Sequence, residues 1–237
     1  DLAAADLADG TVDGNINLGF VGGVGTSYQF TGGAAGDLSG FSVSSAGDVD
    51  GDGRDDLIIG ARNADGGGSN SGESYLITAA DLAAADAADG TVDGEIDLSL
   101  VGGVGTSYQF TGGAAGDQAG FSVSSAGDVD GDGLDDLIIG ARNADGGGSN
   151  SGESYLITAA DLAAADAADG TVDGEIDLSL VGGVGTSYQF TGGAAGDQAG
   201  YSLSSAGDVD GDGLDDLIIG AIFADGGGSN SGESYLI

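Results

Sequence analysis

Aspartates recur on alternate positions of a nine-residue segment that occurs three times in the chain. The first copy, 48–56, reads Asp-Val-Asp-Gly-Asp-Gly-Arg-Asp-Asp, and it returns at 128–136 and 208–216 with leucine in place of arginine. Carboxylates spaced in this way converge if the backbone wraps around one point, and they repel one another unless a hard cation lies between them. Calcium takes roughly six to eight oxygen ligands at about 2.3–2.6 Å. The spacing therefore predicts one Ca²⁺ per copy and three per chain.

The spacing assigns metal ligands to positions one, three, five, seven and nine. In the first copy these are the carboxylates of Asp48, Asp50, Asp52 and Asp56 and the backbone carbonyl of Arg54. Gly53 permits the sharp turn after position five. An EF-hand would need a bidentate glutamate at position twelve, where this chain has Ile59 within an apolar run. We therefore expect the segment to connect two strands of a hairpin, and the alternative is an acidic turn without metal.

The chain is strongly acidic. Its 237 residues include 40 Asp and Glu against 3 Lys and Arg, which gives a formal net charge of −37. Nucleic acids and anionic membranes both attract basic surfaces, so neither is expected as a partner. The apolar fraction of 40% is high for a disordered acidic chain and favours a fold that depends on metal. No run of about 18 apolar residues occurs, so we expect no membrane insertion.

The residue types give little support to catalysis. Cysteine and histidine are absent, and with them the usual groups of zinc sites and acid–base chemistry. Paired carboxylates can hydrolyse glycosides, but the acids with a recognisable arrangement are those assigned to calcium. The sequence therefore predicts a protein that is not an enzyme. A further acidic group, Asp89, Asp93, Glu95 and Asp97, favours a solvated surface over a second cation site.

A period of 80 residues divides the chain into the units 1–80, 81–160 and 161–237. Within the second unit, alternating or apolar runs bounded by glycine predict four short strands at Tyr108–Thr111, Phe121–Ser124, Leu137–Ile139 and Glu153–Thr158. Four strands make one propeller blade. The Ala-rich run 81–90 predicts a short helix with Asp81 as its N-cap and Gly90 at its end. The predicted fold is all-β, with one four-stranded blade per repeat and a short inserted helix.

The acidic loop and its flanking strands resemble the FG-GAP repeat, the blade unit of the integrin α-subunit propeller and of many secreted bacterial proteins. The resembling segment is Phe121-Ser-Val-Ser-Ser-Ala-Gly-Asp-Val-Asp-Gly-Asp-Gly-Leu-Asp-Asp-Leu-Ile-Ile-Gly-Ala141, followed by Gly152-Glu-Ser-Tyr-Leu-Ile157. The resemblance covers roughly half of each repeat. The Gly-Ala-Pro motif of the family is Gly-Ala-Arg at 60–62, and its Phe-Gly pair is reversed at Gly40-Phe41.

The resemblance implies one Ca²⁺ in each loop on one face of the propeller, with ligand contacts mainly on the other face. By this correspondence the metal-binding carboxylates are Asp48, Asp50, Asp52, Asp56, Asp128, Asp130, Asp132, Asp136, Asp208, Asp210, Asp212 and Asp216. The backbone carbonyls of Arg54, Leu134 and Leu214 complete the three sets.

Three blades are too few to close a ring, because propellers have about four to eight. Two chains can form a homodimer that completes a six-bladed propeller, which covers every exposed blade face. Alternatively, the three units belong to a longer array or add head to tail into a homopolymer. We favour the closed dimer.

Two classes of function follow. The first is an adhesion-type binding module with a protein or carbohydrate ligand, and the second is a structural repeat that binds only Ca²⁺ and copies of itself. An extracellular or cell-surface location is expected, since such loops commonly need about 10⁻⁴ to 10⁻³ M calcium. The chain begins at Asp1 without a signal sequence, as expected of a mature product or an excised piece.

Overall fold

Strands dominate the structure, a computed structural model that describes residues 2–8, 10–13, 15–23 and 26–237. The strands of the described residues are β1 (Gln29–Thr31), β2 (Ser39–Gly47), β3 (Asp56–Ala61), β4 (Glu73–Ile77), β5 (Glu95–Asp97), β6 (Tyr108–Thr111), β7 (Ala119–Gly127), β8 (Asp136–Ala141), β9 (Glu153–Ile157), β10 (Glu175–Asp177), β11 (Tyr188–Thr191), β12 (Ala199–Gly207), β13 (Asp216–Ala221) and β14 (Glu233–Leu236). The helices are α1 (Leu2–Leu7), α2 (Leu82–Asp86), α3 (Leu162–Asp166) and α4 (Leu178–Val181).

Each blade begins with three antiparallel strands from one repeat. In the first repeat β2 pairs with β3 and β3 with β4, which places Val43 opposite Ile59 and Ile59 opposite Tyr75. The same pairings join β7 to β9 in the second repeat and β12 to β14 in the third. The middle strand β8 is buried throughout. Burial on both faces explains the apolar run Leu137–Ile139 in the sequence.

The fourth strand of a blade comes from the following repeat. β6 pairs with β4, and β11 pairs with β9 in the same antiparallel register. After β4 the chain passes through α2 and the glycine-rich loop 102–107, and then returns to the outer edge of the blade it has just formed. A four-stranded blade thus spans two sequence repeats, because a period fixes the length of the unit but not where its sheet begins. In the third repeat β12–β14 form a three-stranded sheet, and β1 pairs in parallel with β5.

The hydrophobic core lies between neighbouring blades. The inner strands β2, β7 and β12 lie side by side. One buried cluster combines Ile58 and Leu76 of the first repeat with Phe110, Val123 and Leu137 of the second. Each blade therefore needs its neighbour to bury its apolar face, as in other stacked repeats.

Close approach of backbones between blades explains why glycines occur at particular positions of the middle strands β3 and β8. A Cβ atom on Gly60 would lie 2.1 Å from the carbonyl oxygen of Gly120, and one on Gly140 would lie 2.2 Å from that of Gly200. No side chain fits at such distances, because they are shorter than any van der Waals contact. These glycines let neighbouring strands meet backbone to backbone.

The Ala-rich helix is shorter than the sequence predicts. We expected it to reach residue 90, whereas α2 ends at Asp86, and Asp81 forms no side-chain cap hydrogen bond. The buried carboxylate of Asp86 accepts hydrogen bonds from the N–H groups of Gly94 at 2.8 Å and Asp93 at 3.3 Å. These bonds turn the chain towards β5. Among the described residues the helices are too short and too polar to cross a membrane.

Candidate metal centre

The acidic segment is the loop between the first two strands of each blade. It leaves β2 after Gly47 and enters β3 at Asp56, and these two residues are paired across the hairpin. The second and third copies occupy the same place between β7 and β8 and between β12 and β13. The hairpin position predicted from the sequence is confirmed.

Three carboxylates converge in every loop. Ligand atoms of Asp48, Asp50 and Asp56 all lie within 4.8 Å of one another. The equivalent groups within the same limit are Asp128, Asp130 and Asp136, and Asp208, Asp210 and Asp216. Two oxygens bound to one Ca²⁺ are at most about 5 Å apart, twice the Ca–O distance. The three groups are therefore close enough to share one such ion.

The loop backbone is folded around its first two aspartates. The Asp48 carboxylate accepts hydrogen bonds from the N–H groups of Gly51 at 2.9 Å and Gly53 at 3.0 Å. Asp50 accepts one from the N–H of Asp52 at 3.1 Å. Gly51 and Gly53 have φ angles of 77° and 85°, which glycine adopts without strain. The sequence pattern of alternating acids and glycines thus orients the carboxylates of the loop.

The ninth position supplies the most buried carboxylate of the loop. Asp56 and Asp136 are fully buried, and the Asp56 carboxylate accepts hydrogen bonds from Val49 at 3.0 Å and from Ala79 at 2.8 Å. Burial raises the pKa of Asp56, and it raises the pKa of Asp136 to about 7. The negative charges of the other loop aspartates act in the same direction, while the backbone hydrogen bonds oppose it. A bound cation would stabilise the ionised form of both groups.

The fifth position lies outside the converging group. Asp52 accepts a hydrogen bond from the backbone N–H of Arg54 at 2.9 Å and forms an ion pair with the Arg54 guanidinium. In the second loop Asp132 accepts from the N–H of Leu134 at 2.8 Å. The structure therefore brings together three of the four carboxylates assigned in each loop. It stays a prediction that metal is bound by Asp52, Asp132 and Asp212 and by the carbonyls of Arg54, Leu134 and Leu214.

A threonine near the site was missed in the sequence. The hydroxyl of Thr106 donates to the Asp50 carboxylate at 3.3 Å, and Thr186 makes the same contact with Asp130. Asp81, expected to cap α2, instead accepts a hydrogen bond from the Thr106 N–H at 2.6 Å. The loop that leads into the outer strand is thereby fixed against the acidic loop of the same blade. The recurrence of threonine before the fourth strand is the only sequence signal for this contact.

The eighth position links the loops of neighbouring repeats. The Asp135 carboxylate accepts a hydrogen bond from the N–H of Asp48 at 2.8 Å, and the Asp135 N–H donates to the Asp48 carbonyl at 3.1 Å. Asp215 and Asp128 make the same two contacts at 3.1 and 3.0 Å. The first aspartate of one loop is thus held by the next loop along the chain.

The second acidic group of the sequence does not converge. Asp89, Asp93 and Asp97 each accept a hydrogen bond from the N–H group two residues later, at 2.8, 3.1 and 3.0 Å. These carboxylates close local turns. Among the described residues, the acidic side chains that converge in groups of three are those of the three loops.

Comparison with known families supports the assignment made from the sequence. The FG-GAP repeat model matches residues 39–77, 119–157 and 199–237, each of which contains three strands of a blade and its acidic loop. The chain is an FG-GAP repeat protein. The fold class predicted from the sequence, all-β and composed of propeller blades, is confirmed.

A relative of known name covers nearly the whole FG-GAP chain. Integrin alpha-5 of Xenopus laevis is 31% identical to it over an alignment 235 residues long that covers 94% of this chain. The chain spans only 19% of the length of that relative. The similarity to integrin α-subunits predicted from the sequence is thus confirmed, and it concerns the repeat region.

Proposed function

We propose that this FG-GAP protein is a non-enzymatic, calcium-dependent β-propeller binding module. One Ca²⁺ per repeat would hold rigid the loop between the first two strands of each blade. The observation that carries this proposal is the convergence of three aspartate carboxylates within 4.8 Å in all three loops.

Calcium fits the chemistry of the loop better than other common metals. The chain has no cysteine or histidine, the ligands that zinc and copper favour, and the converging groups offer only oxygen. Magnesium binds fewer protein oxygens and keeps several waters, whereas calcium accepts many carboxylates and carbonyls in variable geometry. The ion would supply the positive charge that relieves repulsion among the aspartates, and the loop residues would orient it.

The similarity to integrin alpha-5 supports an adhesion-type role at the cell surface or outside the cell. Calcium is abundant there, so loops of moderate affinity would be filled. The ligand we propose is a protein or a carbohydrate. Its attachment would depend on blade loops whose positions are set by calcium.

The test compares two substitutions that remove one charge from the same loop. Asp50→Asn removes a converging carboxylate, while Asp55→Asn changes an exposed residue at the eighth loop position, which is not one of the assigned ligand positions. Calorimetric titration of the chelated protein with CaCl₂ should detect one site fewer in the Asp50→Asn variant and an unchanged count in Asp55→Asn. A site held at a calcium concentration of about 100 times its Kd adds about 2.7 kcal/mol to folding stability. Equal calcium binding by both variants would refute the proposal.

A second candidate function is that of a self-assembling structural repeat. The observation that favours it is that Leu38 and Phe223 stand at positions where the other repeats have glutamine and asparagine, respectively. The two functions are compatible, since a ring of two chains could bind an outside ligand.

A further inference from the structure

Neighbouring repeats are joined by the same backbone hydrogen bonds at both junctions within the chain. The N–H groups of residues 112, 116, 118 and 119 donate to carbonyls in 69–72 at 2.8–3.2 Å. The equivalent bonds between the second and third repeats are 2.8–3.3 Å long. Because these bonds join main-chain atoms, any copy of the repeat can make them. We call residues 28–41 the leading face of the first repeat and residues 222–237 the trailing face of the third.

Polar side chains meet at each internal junction. The Gln118 side-chain amide donates to Asn63 at 3.5 Å, and Gln198 donates to Asn143 at 3.4 Å. Each pair joins the glutamine of one repeat to the asparagine of the repeat before it. A matched amide pair is therefore the side-chain signature of an internal junction.

The two end faces carry apolar residues at the positions of this pair. Leu38 stands where the later repeats have glutamine, and Phe223 stands where the earlier repeats have asparagine. Leu38 is 47% exposed and Phe223 is 43% exposed. The backbone does not change, because φ is 57° at Leu38 and 59° at Gln118. Both members of the pair have thus changed from polar to apolar on the two faces that lie at opposite ends of the chain.

The change on the trailing face is unfavourable within the chain itself. The Gln118 side-chain oxygen accepts hydrogen bonds from Arg142 at 3.0 Å and Asn143 at 3.2 Å. In the third repeat these donors are replaced by isoleucine and phenylalanine, and the buried Gln198 oxygen has no hydrogen-bond partner among the described residues. A buried acceptor without a partner lowers stability. The presence of Ile222 and Phe223 on the trailing face therefore points to a favourable contact outside this chain.

Stacking of arginine and aromatic rings along the inner strands leads to the same conclusion. The Arg62 guanidinium lies 4.3 Å from the Phe41 ring centre and 5.7 Å from that of Phe121 in the next repeat. Arg142 lies between Phe121 and Tyr201 in the same way, at 4.0 and 5.6 Å. The trailing face has an isoleucine, residue 222, in place of the arginine, and the leading face presents Phe41 at 46% exposure. These two apolar groups would contact each other across a repeat junction of the same geometry.

The blade strands are complementary as well. Tyr235 and Leu236 of β14 are 40% and 55% exposed, whereas their counterparts Tyr75 and Leu76, covered by β6, are 1% and 0% exposed. A groove of about 710 Å³ runs along β14. β1 has the sequence of β6 and β11, the strands that cover the first two blades. It is suited to cover β14 in the same register.

We propose that the trailing face of the third repeat docks against the leading face of the first repeat of a second copy of this chain. β1 of one copy becomes the fourth strand of the last blade of the other, and Phe223 packs against Leu38. Two such contacts between two chains close a ring of six blades. Leu38 immediately precedes β2, at the end opposite to the acidic loop, so the Leu38–Phe223 contact is separate from the metal centre.

The test is a cycle of substitutions measured by light scattering of the calcium-saturated protein over a concentration series. Leu38→Gln or Phe223→Asn alone places an amide against an apolar side chain, and each should weaken association by roughly 5- to 150-fold. The double variant recreates the internal glutamine–asparagine pair and should recover most of the loss. Val172→Asn changes an apolar residue that is 80% exposed and lies outside both faces, and it should leave association unchanged.

Rescue by the double variant supports the docking surface, because the losses of association caused by two unrelated surface changes would instead add up. A single-chain mass at all concentrations overturns the proposal, and so does a dimer that neither single variant weakens. Circular dichroism of each variant checks that it is folded.

A cross-linking experiment tests the strand register independently, since the chain has no cysteine of its own. Gln109 of β6 lies opposite Tyr75 of β4, so Gln29→Cys with Tyr235→Cys should form disulfide-linked chains on oxidation. Gln29→Cys with Leu236→Cys is the control, because adjacent residues of a strand point to opposite faces. Equal cross-linking of both pairs would overturn the proposed register.

Discussion

Removal of calcium should make folding stability depend on pH in a direction opposite to ordinary acid denaturation. The group responsible is Asp136, whose pKa is raised from 3.8 to about 7, first by burial and then by Asp130 and Asp132. The folded protein then binds more protons than the unfolded chain between these two values. The stabilisation contributed by this group is therefore fully present below about pH 4 and is lost as pH rises through 7.

The size of this effect follows from the shift. One pKa unit corresponds to about 1.36 kcal/mol, so the calcium-free protein should lose at most about 4 kcal/mol from this blade across the interval. Bound calcium would keep the carboxylate ionised and oppose the loss. Urea unfolding followed by circular dichroism, at pH 4.5 and at pH 8 with chelator or with CaCl₂, measures both quantities.

The charge of the whole chain also destabilises it at high pH, so a matched pair of variants is needed. Asp136→Asn removes the buried carboxyl and should flatten the dependence in the presence of chelator. Asp132→Asn removes one charge from an exposed position of the same loop and should leave most of the dependence in place. Stability that does not change with pH in the calcium-free wild-type protein would refute the reasoning, as would equal behaviour of the two variants.

Two further changes test hydrogen bonds of Asp135 and Gln198. Asp135→Ala removes the hydrogen bond to the preceding loop and should lower stability by about 1–3 kcal/mol in urea unfolding, with weaker calcium binding in the first repeat. Asp55→Ala, at the same loop position of the first repeat, should cost less in dilute protein, and an equal loss in both variants would argue against the link. Ile222→Arg with Phe223→Asn gives Gln198 the two donors that it lacks and should raise the stability of dilute, monomeric protein by about 1–3 kcal/mol. A lower melting temperature for this variant in dilute solution would contradict our explanation.

The strands of a blade could be predicted from local pattern alone. The run Tyr108–Thr111 coincides with β6, and the apolar run at 137–139 lies in the buried strand β8. The origin of the fourth strand could not be predicted, because it depends on which sheet edge the chain returns to after α2. The predicted helix end was also wrong: α2 ends at Asp86, whose buried carboxylate binds N–H groups seven and eight residues ahead, beyond any helical periodicity.

The metal loop was the part of the site most evident in the sequence, because its contacts are local. Alternation of aspartate and glycine determines the turn, and three of the carboxylates converge as the spacing suggests. Contacts between repeats left no such pattern. Asp135 stands next to Asp136 in the sequence, yet it contacts the loop of the preceding repeat, 87 residues away. Thr106 likewise contacts Asp50 across 56 residues.

The most direct test of the calcium proposal is the number of metal ions per chain in protein dialysed to equilibrium against saturating CaCl₂, since such loops commonly need about 10⁻⁴ to 10⁻³ M calcium. Elemental analysis or native mass spectrometry should give three Ca²⁺, one for each converging aspartate group. The Asp50→Asn variant should give two. A chain that retains no divalent ion, with an unchanged melting temperature after chelation, would contradict the account.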